Sequence, residues 1–234
     1  MDGYWQKLKE EPRVKIVHLG KNRGMRGAIN AGVAVAKGEY LMRMDEHQIV
    51  GKGYDVILTR DCQPNWIMTP RRYFLDPVKW EVMDIPPIDF AKLKIVNCGQ
   101  AKDFEDHPGE NPMIRKFSGV EAPGDDSQPI QESFAMQGSC WFMPHKLWDD
   151  VIGELQTEGY GPLYQDSHEM IFKIWKAGGK LMVDKNTWHA HKHRSFPRTH
   201  NNGTPENPSK NEECWAYSLS VWEDYYNELK KTWK

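Results

Sequence analysis

The sequence predicts an α/β fold, and three observations predict it. Residues 14–19 alternate β-branched and polar side chains, the pattern of a half-buried strand. Residues 25–36 are small and apolar, with Ala28, Ile29, Gly32 and Ala36 at helical spacing on one face. Residues 39–44 then read as a second strand that runs straight into Asp45-Glu46-His47. Strand, helix and strand in such close succession form a βαβ unit, whose strands pair in parallel under the helix. Ligands of such sheets gather at the carboxyl ends of strands, and Asp45-Glu46-His47 occupies an end of that kind.

The 234 residues suit one compact domain, residues 1–234. With 39% hydrophobic and 27% charged residues the chain reads as folded rather than disordered. A net charge of −2 gives no global attraction to nucleic acid, though it leaves room for a local basic patch. Cys62, Cys98, Cys140 and Cys214 form no C-x-x-C pair, so free thiols are expected rather than structural zinc. No apolar run is long enough for a bilayer, and the first residues carry no signal pattern, which makes a cytoplasmic location the expectation.

Downstream, residues 55–59 suggest a short helix and 66–69 a strand. Prolines 77, 86, 87, 108, 112, 123 and 129 then punctuate a polar stretch. The expectation there is a long insertion, residues 76–132, with little regular structure. Residues 133–143 return to regular structure, with helices over 145–156 and 166–176, the latter stopped by Gly178-Gly179. Strands are expected at 180–184 and 187–191, a mobile loop at 194–210, and a closing helix that buries Trp215, Leu219, Trp222, Tyr226, Leu229 and Trp233.

Three clusters carry candidate chemistry. Asp45 and His47 offer a hard oxygen and a borderline nitrogen from one bend, a mixture that suits Mn²⁺ better than Ca²⁺. His189, His191 and His193 alternate along a strand and so share a face, with His200 beyond. One of them can complete a metal site, and Lys192, Arg194 and Arg198 beside them can hold phosphates. Asp166-Ser167-His168-Glu169 opens a helix, where the two carboxylates serve either as a cap or as a base facing an acceptor hydroxyl.

Lys21-Asn22-Arg23-Gly24 with the following small-residue helix, then Ala36-Lys37-Gly38-Glu39-Tyr40 leading to Asp45, resembles the family 2 glycosyltransferase pattern. The D-x-H form of the acidic motif is similar to that of the polypeptide N-acetylgalactosaminyltransferases. So are the order and spacing of Asp166 to Gly179, the histidines ending at His191, and Gln137-Gly138-Ser139-Cys140-Trp141-Phe142. The match covers two blocks of the chain.

The resemblance implies a GT-A fold, a mixed sheet flanked by helices, here without the usual first strands. It implies a UDP-sugar donor and Mn²⁺ or Mg²⁺ held by Asp45, His47 and His191. Donor contacts would come from Asn22, Gly24, Arg26, Asp45, Gly138, Ser139, Trp141, Lys192, Arg194 and Arg198, and catalytic carboxylates from Asp166 and Glu169. The segment 76–132 has no counterpart in the secretory enzymes, so the chain looks more like short phage or bacterial transferases. The candidate acceptors are then hydroxymethylated bases of phage DNA or a glycan, and Arg71, Arg72, Tyr73 and the tryptophans 66, 80 and 141 suit either equally well. The rival reading is a degenerate module that binds nucleotide-sugar or carbohydrate without turnover. No membrane partner is expected, and self-association into a homo-oligomer is left open.

Overall fold

A computed structural model of the chain describes residues 2–97, 115–122, 124–136, 138–161, 165–192 and 211–233. The chain opens with α1 (Asp2–Glu10) and crosses an extended stretch to α2 (Gly24–Val35), β1 (Tyr40–Met44), β2 (Gln48–Val50) and α3 (Tyr54–Asp61). Next come β3 (Trp66–Asp76), β4 (Glu81–Val82), β5 (Phe90–Asn97), β6 (Arg115–Ala122), β7 (Ile130–Glu132) and β8 (Cys140–Pro144). After β8 lie α4 (His145–Leu147), a π turn (Trp148–Ile152), α5 (Asp166–Lys176), β9 (Lys180–His191) and α6 (Asn211–Lys230).

The main sheet has the order β1-β8-β3-β9-β2, with β4 on the far end of β3 and β7 on β9. Only β3 and β9 run parallel among these pairs; the others are antiparallel. The expected parallel βαβ unit over residues 14–44 is therefore corrected. Residues 14–19 are extended but form no strand, because no neighbouring strand among the described residues takes up their backbone groups. Val14 and Val17 stay 37% and 41% exposed. β1 instead pairs with β8, a hundred residues downstream, from Tyr40 opposite Pro144 to Met44 opposite Cys140.

The segment expected to lack regular structure contains most of the hairpins. Asp76 Oδ1 accepts from the backbone N–H groups of Val78 and Lys79, which closes the β3–β4 turn. β5 and β6 pair over their full length, from Phe90 opposite Ala122 to Asn97 opposite Arg115. This hairpin packs on the helices: Tyr226 donates to the Leu93 carbonyl, and Phe117 meets Phe172 edge-on at 4.9 Å.

The two strands expected at 180–184 and 187–191 are one strand, β9, with a bulge. The register jumps from Pro70 opposite Asp184 to Arg71 opposite Trp188, leaving residues 185–187 without counterparts. Pro70 has no N–H to give the ladder, and the break falls there. The helix expected over 145–156 ends at Ile152, where Gly153 turns to φ +64°. α5 forms as expected and is followed by Gly179, whose missing side chain lets it sit against the Asn65 carbonyl and Ile174.

α5 is buried on nearly every side: Met170, Ile171, Phe172 and Ile174 are all excluded from solvent. α6 closes over it with Trp215, Leu219, Trp222 and Tyr226, as its spacing predicts. Phe172 stacks on Trp222 at 5.2 Å, and the Trp222 indole N–H donates to the Tyr160 hydroxyl at 2.7 Å. Each such side chain contributes roughly 1.5–3 kcal/mol by burial. No helix among the described residues is long and apolar enough to cross a membrane.

Candidate active site

The end of β1, the bend before β2 and the end of β9 meet at one point. The bend is stapled on both sides by backbone bonds: Asp45 N–H donates to the Ser139 carbonyl at 3.0 Å, and Lys192 N–H to the His47 carbonyl at 3.1 Å. Gln48 stands opposite His191 in the β2–β9 ladder, which brings His191 level with the bend. Asp45, His47 and His191 consequently offer one ligand atom each, all within 4.8 Å of one another. The two imidazole rings lie 4.6 Å apart by centroid.

Asp45 is the anchor. One oxygen accepts from Arg43 Nη2 at 2.7 Å, and the other lies 3.3 Å from His191 Nε2 and 4.0 Å from His47 Nε2. Burial by itself would raise its carboxyl. The His191 hydrogen bond and the Arg43 charge outweigh burial and hold the carboxyl below the usual range, so Asp45 is ionised and ready to bind a cation. One carboxylate and two imidazoles, converging and partly open to solvent, fit a divalent ion of the Mn²⁺ kind.

The other histidines separate. His189 shares the face of His191 but lies in the layer below, 2% exposed beside Arg72. Burial and the neighbouring Arg72 charge push it down to about 3, so it is neutral. His193, His200, Arg194, Arg198, Gln137, Cys98 and the loop 194–210 lie outside the described residues. Lys192 directly follows β9, beside the cluster.

Two expected site residues belong to the core, which corrects their reading. Arg26 is 0% exposed, ion-paired with Glu169, donating to the Gln156 carbonyl at 2.9 Å and stacked over Tyr160 at 4.0 Å. Glu169 also holds Lys173 at 2.8 Å and the Gln156 N–H at 3.2 Å. A donor nucleotide cannot reach this Arg26, and this Glu169 cannot meet an acceptor. Asn22 accepts from Gly24 N–H at 2.7 Å and shapes the turn into α2. Trp141 is 2% exposed, stacked on Trp148.

Ser139 lies beside the bend through its carbonyl, and Gly138 lies between Arg43 and Asp166. Asp166 is 4% exposed, and burial raises its carboxyl against the pull of Arg43 and Arg26. A trough of about 590 Å³ runs from Asp45 between β1 and α2, walled by Met25, Ala28, Ile29 and Gly32. Arg43 lines it too. Sequence reasoning passed over this residue, although a charge inside the apolar run Tyr40-Leu41-Met42-Arg43-Met44 was a usable signal.

Among the basic and aromatic residues considered for an acceptor, the two arginines are engaged within the fold, while Trp80 stays exposed. Arg71 is ion-paired with Asp89 at 2.6 Å and with Asp126, and Arg72 lies buried 2.8 Å from Glu121. Cys140 and Cys214 are buried thiols, each pushed up to about 12 by desolvation, and so are inert.

Comparison with known proteins bears on this geometry. Residues 1–57 match the family model described as glycosyl transferase family 2. The architecture is a GT-A fold. It superposes on a crystal structure of GalNAc-T7 with UDP, GalNAc and Mn²⁺ at a TM-score of 0.66 and 19% sequence identity. The superposition covers 97% of this chain and 40% of that one, so the chain spans well under half of that neighbour's length. No curated protein matches the sequence.

Proposed function

We propose that the chain is a metal-dependent glycosyltransferase that moves a sugar from a UDP-sugar to a hydroxyl of a glycan acceptor. The convergence of Asp45, His47 and His191 at the mouth of the trough carries this reading. The same fold holds UDP, GalNAc and Mn²⁺ in the GalNAc-T7 structure, which supports a nucleotide-sugar donor and a divalent ion. The trough volume falls within the roughly 300–1,000 Å³ of small-molecule sites.

Asp45, His47 and His191 would hold Mn²⁺ or Mg²⁺, which supplies positive charge against the negative charge gathering on the departing diphosphate. Lys192 adds a second positive charge there. In the transfer, the bond from the anomeric carbon to the phosphate oxygen breaks and its electron pair leaves with UDP. The acceptor oxygen forms the new glycosidic bond and releases its proton. Asp166 is the carboxylate that takes this proton in an inverting reaction, Glu169 being committed to Arg26. In a retaining reaction the proton passes to the departing phosphate.

The glycan acceptor is preferred over hydroxymethylated DNA because Arg71 and Arg72 are already neutralised by Asp89, Asp126 and Glu121. The test is calorimetric titration of UDP with and without Mn²⁺, on wild type and Asp45→Ala, followed by UDP release with glycans and hydroxymethylated DNA as acceptors. Binding that needs Mn²⁺ and vanishes in Asp45→Ala is expected, with UDP released on glycan addition. Absence of UDP binding with Mn²⁺ present overturns the reading. Binding without turnover on any acceptor leaves the non-catalytic module in its place.

A further inference from the structure

The sheet does not end evenly beside the metal cluster. β9 closes its pairing with β3 at His191, opposite Phe74. β3 runs on to Asp76 and returns as β4, with Leu75 opposite Val82 and Asp76 opposite Glu81. Each strand residue advances about 3.3 Å, so the tip of this hairpin overhangs the level of His191 by roughly 10 Å. The tip is pinned by backbone bonds. Asp76 Oδ1 accepts from the Val78 and Lys79 N–H groups at 2.8 and 3.0 Å. The Trp80 N–H donates to the Asp76 carbonyl, and the Met83 N–H to the Phe74 carbonyl, both at 2.9 Å.

Trp80 sits at this tip against two physical preferences. It is 48% exposed, and the same stretch leaves Val78, Met83 and Ile85 in water as well. Its backbone is left-handed, at φ +58°, a conformation that glycine takes readily and a residue with a side chain rarely adopts. An indole held in solvent on a strained backbone adds little to the core, and strain of this kind collects where a ligand is bound.

An indole offers its face to a flat partner with an apolar side, which here is a sugar ring or a nucleobase. Charge separates the two. Residues 76–84 carry Asp76, Glu81 and Asp84 against Lys79 alone. Such an acidic tip repels a phosphodiester backbone. Its carboxylates accept from sugar hydroxyls instead, and Glu81 is open to them, 61% exposed and 3.5 Å from Lys79.

We infer that Trp80 is a specificity-determining residue, the platform for a sugar unit of the acceptor beyond the one that receives the transferred sugar. This rests on the glycosyltransferase reading above. The reacting hydroxyl must reach the cluster of Asp45, His47 and His191, so a ring stacked on the overhanging tip belongs to a further unit of the same glycan.

The experiment follows UDP release in Mn²⁺ on the full chain, with cello-, malto- and chito-oligosaccharides of increasing length as acceptors. Wild type should gain roughly tenfold in kcat/KM once the acceptor is long enough to reach Trp80. Trp80→Gly should lose that gain through KM at unchanged kcat. It should keep the rate on the shortest acceptor and the Mn²⁺-dependent affinity for UDP. It should melt no earlier than wild type, because glycine relieves the left-handed backbone. Trp80→Phe, which keeps a ring, should retain most of the gain. Turnover by Trp80→Gly with the length dependence of wild type overturns the inference and leaves the transferase reading intact. So does earlier melting with equal losses on short and long acceptors, which marks a structural role. A loss confined to hydroxymethylated DNA as acceptor gives the platform to a base and overturns it too. No UDP binding by wild type, or binding without release on any acceptor, removes both readings.

Discussion

Replacing Glu169 with leucine should cost about 3–5 kcal/mol of stability, and adding Arg26→Met to that chain should return most of it. The pair is fully enclosed, Arg26 at 0% and the Glu169 side chain at 2% exposure. Leucine at 169 strips a buried guanidinium of its carboxylate and takes one of three partners from the Lys173 ammonium, 2.8 Å away, which keeps the Ile152 and Glu154 carbonyls. Arg26→Met alone should cost less, because Glu169 keeps Lys173 and the Gln156 N–H. Two apolar side chains of similar volume remove the buried guanidinium and its carboxylate together, and Lys173 keeps the Ile152 and Glu154 carbonyls, which is why the double variant recovers. In a domain of this size each kcal/mol moves the melting temperature by roughly 2–4 °C, so Glu169→Leu should melt roughly 6–20 °C early. Urea denaturation followed by the fluorescence of the ten tryptophans gives the three free energies and their coupling. Purely additive losses, or a loss below about 1 kcal/mol for Glu169→Leu, would refute the buried-pair argument. A folded Glu169→Gln that binds UDP-sugar yet fails to transfer would return Glu169 to the role of base.

Three further outcomes are expected. His191→Ala should weaken Mn²⁺ binding at least about tenfold in a direct metal titration; unchanged binding would dissolve the three-residue cluster. Burial first, and then the nearby Asp61 carboxylate, push Asp184 from 3.8 up to about 6, so the folded chain holds this proton more tightly than the unfolded one. Stability should therefore fall as pH rises from about 4 to about 6 and level off above, and Asp184→Asn should remove that slope from urea midpoints measured across the window. Gly179→Ala places a methyl against the Asn65 carbonyl and 2.7 Å from Ile174 Cγ2, and should cost about 1–3 kcal/mol in thermal unfolding; an unshifted melting temperature would show that the α5–β9 turn has slack.

The local pattern of α6 carries enough periodicity to be read directly, and Trp215, Leu219, Trp222 and Tyr226 are the face its spacing predicts; α2 forms as a helix, but Ala28 and Gly32 of its expected face stay exposed and Arg26 is buried instead. What a local pattern omits is the identity of the neighbour. Residues 14–19 have the alternation of a strand and lack one, since a strand exists only by pairing. β1 found its partner in β8, which no window of sequence around either one contains. The proline-rich stretch misled for a related reason. Pro77, Pro86, Pro87 and Pro129 all fall between strands, so they separate the strands rather than dissolve them.

The candidate site divides along the same line. Asp45 and His47 are legible because two residues in one bend must lie close together, and His191 joins them through its likeness to a known motif. His189 was drawn into the same cluster by the rule that alternate residues share a face, which is correct about direction and silent about depth. Arg26 and Glu169, 143 positions apart, looked like site residues because a charge on a helix advertises nothing about a partner it meets only in the folded core. Arg43 is the converse case. A guanidinium in the middle of an apolar strand has to be answered by other polar groups, and that demand is readable from Tyr40-Leu41-Met42-Arg43-Met44 alone. One answer is Asp45, two residues along. The second nitrogen has no hydrogen-bond partner among the described residues, so the demand that the sequence announces is met there only by half.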